Sequence, residues 1–227
     1  MHPLVGAVRA ALASQADPVK APQMQAYMKS AMPYYGVAAP AQRRIWREVF
    51  TAHAIDSCDE LRAVALELWR SADFREERYA AIALTDLKRH ATCQRMPAVP
   101  MYEEMIVTGA WWDYVDALAT HHLGDILRHE PRRMKPLMRR WATARDSMWK
   151  RRAAILCQIR CKRDTDLELL YACIEPNLSH TDFFIRKAIG WALRQYAWTD
   201  SREVKRYVAR NRARLSPLST REALKNL

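Results

Sequence analysis

An apolar rhythm of three and four residues runs along almost the whole chain and leaves it little choice but to fold into helices. Apolar residues recur at that spacing over 40–55, 59–70, 74–90, 131–142, 147–160, 181–196 and 203–210, which places a stripe on one helix face. Pro33 and Gly36, Pro97 and Pro100, Pro131, Pro176 and Pro217 fall between the runs, at points where a helix does not readily continue. Asp73, Asp146 and Thr181 stand just ahead of periodic runs and Ser219 ahead of a shorter one, residue types that cap helix N-termini. No alternating Val/Ile/Thr run with hairpin turns occurs. The expected class is all-α.

Four of the helical stretches share a theme: FREERYAAIAL at 74–84, WWDYVDALAT at 111–120, MWKRRAAIL at 148–156 and FFIRKAIGWAL at 183–193. Aligned on their small apolar pairs, they put Tyr79, Asp116, Arg152 and Lys187 in one column, with steps of 37, 36 and 35 residues. A two-helix unit of that period predicts a HEAT-like α-α superhelix, here a single repeat domain over 1–227, with one helix of each unit on a concave face. Trp112 lies four residues before Asp116 and Trp191 four after Lys187, so each pair shares a helix face. The column is thus a candidate groove carrying Tyr, Asp, Arg and Lys beside two indoles.

Charge suggests what fills it. Lys and Arg number 37 against 25 Asp and Glu, a formal charge of +12, which favours a polyanionic partner, nucleic acid foremost. Half the residues are apolar and only five are Gly, as in a folded protein and unlike a disordered tail. The cysteines (Cys58, Cys93, Cys157, Cys161, Cys173) are odd in number and include no CxxC, so buried free thiols in a reducing compartment are expected rather than a disulfide framework. The N-terminal MHPLVGAVRAALASQ reads as a short amphipathic helix and not a signal peptide, and no apolar run suits a membrane span. A soluble, monomeric, cytoplasmic protein with no cofactor and no metal is expected.

Within a basic groove, Asp116 repels the polyanion and so needs a reason. A substrate that carries or develops positive charge supplies one. Purines alkylated at N3 or N7 are cationic, and breaking their glycosidic bond builds oxocarbenium character that a carboxylate stabilises while orienting water. Trp112 and Trp191 can meet a cation through their faces. The plainer alternatives are that Asp113 and Asp116 are ordinary helix residues, or that Asp116 pairs with Arg152 of the next repeat. Elsewhere, His121, His122 and Asp125 form HHxxD where a connection is expected, with no further ligands at metal spacing. Lys187 is expected to contact phosphate or stay solvated. Arg43 and Arg44 open a helix and either grip a DNA backbone or lie on a solvated face, and RHEPRRMK at 128–135 and KRYVARNRAR at 205–214 are surface charge runs.

WWDYVDALA, then HHLGDIL, WKRRAAILCQ and FFIRKAIGWALRQYA, together with AYMKSAMPYYGV at 26–37 and PLSTREALK at 217–225, closely resemble the AlkD-type DNA alkylation repair glycosylases over nearly the whole chain. That resemblance implies a HEAT-like fold and release of N3- and N7-alkylated purines, 3-methyladenine and 7-methylguanine, from double-stranded DNA. It matches the family's catalytic Asp to Asp116, its aromatic lesion contacts to Trp112 and Trp191, and its active-site Arg to Arg152, which is expected to touch phosphate. Tyr27 matches a position near the DNA. Arg151 departs from the pattern as a second basic residue and is a further candidate DNA contact. The competing expectations are a non-catalytic helical-repeat protein that binds DNA shape or branched structures, and a scaffold for acidic protein tails.

Overall fold

The computed structural model describes residues 1–227. They form fourteen α-helices, a few 3-10 turns and one π-helical turn, without a strand, and divide into two compact units, Met1–Cys93 and Gln94–Leu227. The all-α class expected from periodicity is what forms.

The first unit holds α1 (Pro3–Ala13), α2 (Lys20–Met28), α3 (Ala39–Ala52), α4 (Cys58–Arg70) and α5 (Arg75–Thr85). Helix α1 packs against α3, α4 and α5 and buries Leu4, Val5, Val8 and Leu12 against a core that includes Ile45, Phe50, Leu61, Leu68 and Leu84. Pro3 and Pro40 sit in first turns, where their missing N–H costs no hydrogen bond. Ser57 Oγ accepts the Glu60 amide at 3.1 Å while the Glu60 carboxylate accepts the Asp56 amide at 3.0 Å, a reciprocal cap that satisfies two otherwise orphaned donors.

Helix α5 opens with Glu76 and Glu77, both fully buried. Glu76 accepts the amides of Tyr35, Gly36 and Val37 at 3.1, 2.9 and 3.2 Å. Glu77 accepts from Arg9 at 2.9 Å and from the Tyr35 hydroxyl at 3.0 Å. These bonds clamp the α2–α3 loop onto α5. Gly36 has φ +88°, and a Cβ there would stand 2.2 Å from the Asp17 carbonyl oxygen, so the clamp admits only glycine.

The second unit holds α6 (Val99–Gly109), α7 (Trp112–Ala117), the π turn Leu118–Leu123, α8 (Gly124–His129), α9 (Pro131–Ala142), α10 (Met148–Leu156), α11 (Leu167–Ile174), α12 (Phe183–Ala197), α13 (Ser201–Arg210) and α14 (Pro217–Ala223). From α9 onward it has two layers. Helix α9 packs on α11, and α11 joins α13 through Tyr171, which donates to Glu203 at 2.7 Å and stacks on Tyr207 at 4.2 Å. The other layer runs α7, α10, α12, α14. Gly190 lets α12 and α14 approach closely: a Cβ there would lie 2.4 Å from the Glu222 Cβ.

Several expectations shift by a few residues. Asp182, not Thr181, caps α12, accepting the amides of Phe184 and Ile185. Ser216, not Ser219, caps α14, and Pro217 then starts it. Asp146 bonds Lys150 at 2.7 Å and leaves the cap position of α10 to Ser147. Helices α2, α6, α8 and α11, of 9, 11, 6 and 8 residues, lie outside the periodic runs of the sequence. The connection expected around His121, His122 and Asp125 is instead helical, a π turn running into α8. His122 is buried with its ring 4.8 Å from Tyr102, and that burial keeps the backbone wound through the segment.

The cysteine expectation needs correction. Cys58 and Cys93 form a disulfide, Cα–Cα 5.3 Å, tying the start of α4 to the end of the 3-10 turn Lys88–Cys93; only Cys157, Cys161 and Cys173 are buried free thiols. Nothing local marks the pair, because 35 residues separate its members and only the packing brings them together. In the chain-entropy model a loop of that length is worth about 4 kcal/mol. Chemical denaturation with and without reductant should therefore show a midpoint loss of that order, and Cys58→Ser/Cys93→Ser should reproduce it without reductant. Equal stability in all states would mean that the bond adds nothing.

Candidate active site

Three aromatic side chains at or near helix starts set the frame of the site in the second unit. Trp111 precedes α7, Trp149 lies in the first turn of α10 and Phe184 in the first turn of α12. Their rings contact one another at 6.2 Å (Trp111–Trp149), 5.4 Å (Trp111–Phe184) and 5.2 Å (Trp149–Phe184), tilted or edge-on as ring quadrupoles prefer. The cluster brings the N-terminal ends of α7, α10 and α12 together.

One turn further along, α7 presents Asp116 and α10 presents Arg152. Arg152 Nε donates to Asp116 Oδ1 and Nη2 to Oδ2, both at 2.7 Å. Its Nη1 donates to the Phe184 carbonyl oxygen on α12, and the guanidinium carbon lies 5.9 Å from the Phe184 ring centroid. A parallel two-bond pair of this kind fixes the carboxylate in plane as well as in position. The Arg152 side chain is 4 % exposed and that of Asp116 16 %, so the carboxylate is screened from solvent without being sealed. Burial pushes its pKa above the ordinary aspartate range, the adjacent charge of Asp113 acts in the same sense, and the Arg152 bonds pull it only part of the way back.

Directly after Asp116 the helix loosens into the π turn Leu118–Leu123, a feature that often accompanies function. Thr120 in this turn and Trp191 on α12 line one recess of about 580 Å³, together with Ile159, Arg160, Lys162 and Gln195. Trp112, half-buried, lies one turn before Asp116 on α7.

The column expected from the repeats is partly assembled. Asp116 and Arg152 meet, as the ion-pair alternative anticipates. Lys187 turns to Glu222, with Nζ 2.7 Å from its carboxylate, which Arg194 also binds; its charge is already offset. Arg151 is bonded to the carbonyls of Ala144 and Thr143 and to Asn177 Oδ1 at 2.6, 3.4 and 3.2 Å, so it braces the α9–α10 loop. In the first unit, Tyr79 bonds Tyr34 hydroxyl to hydroxyl at 2.9 Å, with the Arg75 guanidinium 5.8 Å from both rings. Tyr27 is 80 % exposed and shares a recess of about 520 Å³ with Tyr34 and Tyr79. Arg43 and Arg44 are exposed on α3.

In the HHxxD segment, Asp125 pairs with Arg128, and no group of His, Cys, Asp or Glu side chains is placed to hold a metal. Sequence reasoning missed Phe184, whose contribution is a backbone carbonyl that no residue pattern announces. It also missed Thr120, Arg160 and Lys162. No spacing signal marks Thr120, whose place is set by the widened turn.

The pair can be tested directly. Truncating one member of a buried ion pair strands the other, at a cost of about 3–5 kcal/mol. Arg152→Ala should lower the melting temperature accordingly and move the Asp116 carboxyl resonance titration to still higher pH, since the only favourable influence on the ionised form is gone. An unchanged titration would show that Arg152 does not set the charge state of Asp116.

The chain matches the model of the DNA alkylation repair enzyme family over residues 8–227. Among solved structures, one described as a predicted DNA alkylation repair enzyme from Enterococcus faecalis superposes with a TM-score of 0.83 at 29 % identity, covering 94 % of this chain and 97 % of that one. No curated protein matches the chain significantly.

Proposed function

Since the chain belongs to the DNA alkylation repair enzyme family, we propose that it is a monofunctional DNA glycosylase that hydrolyses N3- and N7-alkylated purines, such as 3-methyladenine and 7-methylguanine, from duplex DNA and leaves an abasic site. The observation that carries this reading is the Asp116 carboxylate, 16 % exposed and held in a fixed plane by Arg152, within a chain of formal charge +12. A partly desolvated acid is costly, and a cationic substrate gives it a use.

The steps follow from charge. The C1′–N bond breaks with its electron pair passing to the purine, which neutralises the alkylated ring, so no general acid is needed. Positive charge grows on the sugar. Arg152 occupies one lone pair on each Asp116 oxygen, and an ionised carboxylate has further acceptor sites with which to face that charge and to accept a hydrogen bond from water. The water oxygen bonds C1′ and its proton passes to Asp116 or to solvent. Trp191 and Trp112 flank the sugar and backbone. The reading of 1–227 as one HEAT-like array, acting as a cytoplasmic monomer, belongs to the same proposal; in a reducing cytosol the Cys58–Cys93 pair would be held as thiols.

A second reading has an observation of its own. The Asp116–Arg152 pair is neutral as a unit, as a purely structural bridge would be, and this suits a non-catalytic protein that binds DNA shape.

Release of 7-methylguanine from methylated duplex DNA separates the two. The wild type should release it, and Asp116→Asn should fold, bind duplex and lose about 10²–10³ in rate, the usual cost of removing one preorganised electrostatic group. Absence of release by the wild type would favour the binding protein.

The pH profile follows from the raised Asp116 pKa. The ionised form is the active one, so excision should fall as pH drops through that pKa. The acid limb should lie above the value of about 3.9 for an unperturbed aspartate. A limb at or below that value would mean that another group governs the step.

A further inference from the structure

The turn between α10 and α11 carries the sequence Arg160-Cys161-Lys162-Arg163. Arg160, Lys162 and Arg163 are all exposed, and none makes an ion pair. The turn is nevertheless firmly built. Gln158, buried, donates through Nε2 to the Asp166 carbonyl oxygen at 3.0 Å and accepts the Asp166 amide at 2.8 Å. Cys161 is buried between the cations, and Thr165 Oγ1 donates to the Lys162 carbonyl oxygen at 2.8 Å. Asp166 itself is used up, accepting the Leu169 amide at 3.1 Å and pairing with Lys135 at 2.7 Å.

Two features set this turn apart from a solvated charge run. Lys162 has φ +51°, a left-handed conformation uncommon for a residue with a side chain. And two of the cations border a recess: Arg160 and Lys162 line the space that contains Thr120, Gln195 and the Trp191 indole. Charges on flexible chains relax away from one another, whereas these two are displayed from a stapled backbone. Asp164, exposed on the same turn and lining the same recess, opposes only one of them. Arg128, also at the recess, is engaged by Asp125. A net positive charge therefore remains at the recess beside the Trp191 indole, in a space of about 580 Å³ that admits a sugar-phosphate unit.

We propose that Arg160 and Lys162 form a preorganised clamp for the phosphodiester backbone of the DNA strand whose sugar meets Trp191. The proposal rests on the duplex-DNA reading above and names the residues that would position the strand relative to Asp116. Each cation replaces counterions on one phosphate, so its removal lowers the salt dependence of binding by about 0.9 in the log–log slope.

The test is binding of the full-length protein to undamaged duplex DNA and to duplex carrying a tetrahydrofuran abasic analogue, each titrated across salt. Arg160→Ala/Lys162→Gly removes two charges, and glycine suits φ +51°, so the melting temperature should hold or rise. Arg202→Ala/Lys205→Ala removes the same charge from exposed positions on α13, in the opposite layer to α10 and α12, and serves as the comparison. The clamp predicts that the first pair loses at least about tenfold in affinity at low salt and about 1.8 in slope, while the second keeps the wild-type slope. Equal losses from both pairs, or an unchanged slope in the first, would overturn it. Should the wild type bind duplex and release alkylpurines while the first pair behaves as wild type, only the clamp fails. A wild type without salt-dependent duplex affinity removes the DNA reading and the clamp together.

Discussion

The guanidinium of Arg152 joins three helices at one point. It binds both oxygens of Asp116 on α7, the Phe184 carbonyl on α12 and, through its own backbone, α10. A buried pair of this kind gives little net stability, because desolvating both charges offsets most of their attraction. Its value lies in geometry. The aromatic triad of Trp111, Trp149 and Phe184 supplies the apolar burial, and the ion pair then selects one register among the ways the three helices might slide. What results is a carboxylate whose plane and height in the layer are set by groups that do not themselves need to touch a substrate.

That arrangement carries an electrostatic tension. Burial disfavours the ionised form of Asp116 and Arg152 favours it, with burial the larger influence. A carboxylate in this balance holds its charge less comfortably than one in water, so an approaching cation relieves it. Such relief is what differential stabilisation of a developing cation requires, since an already solvated acid would have to shed water first. Lys187, in the same sequence column, is bound instead by Glu222 on α14, together with Arg194.

The basic surplus is not evenly disposed. Several cations are taken up by partners within the protein chain: Arg9 by Glu77, Lys135 by Asp166, Arg151 by carbonyls and Asn177. Of those left over, Arg160 and Lys162 border the Trp191 recess. Net charge alone therefore says little about where a polyanion would lie. The pairing of each individual residue decides it.

By itself the sequence determined the helical class and the likeness of motifs that places Asp116 and Arg152 in one column. Both are consequences of local spacing, apolar recurrence at 3.6 residues per turn and two like motifs set 36 residues apart, and can be read along a line. Tertiary structure alone decided which members of that column meet and which are diverted. Lys187 shares the spacing, yet α14 packs so closely over Gly190 that Glu222 captures it. Arg151 and Arg152 are neighbours in the chain, but only Arg152 faces α7. The Cys58–Cys93 bond, the Phe184 carbonyl and the left-handed turn at Lys162 were equally invisible, because each depends on backbone positions brought close by packing, and a side-chain pattern carries no record of them.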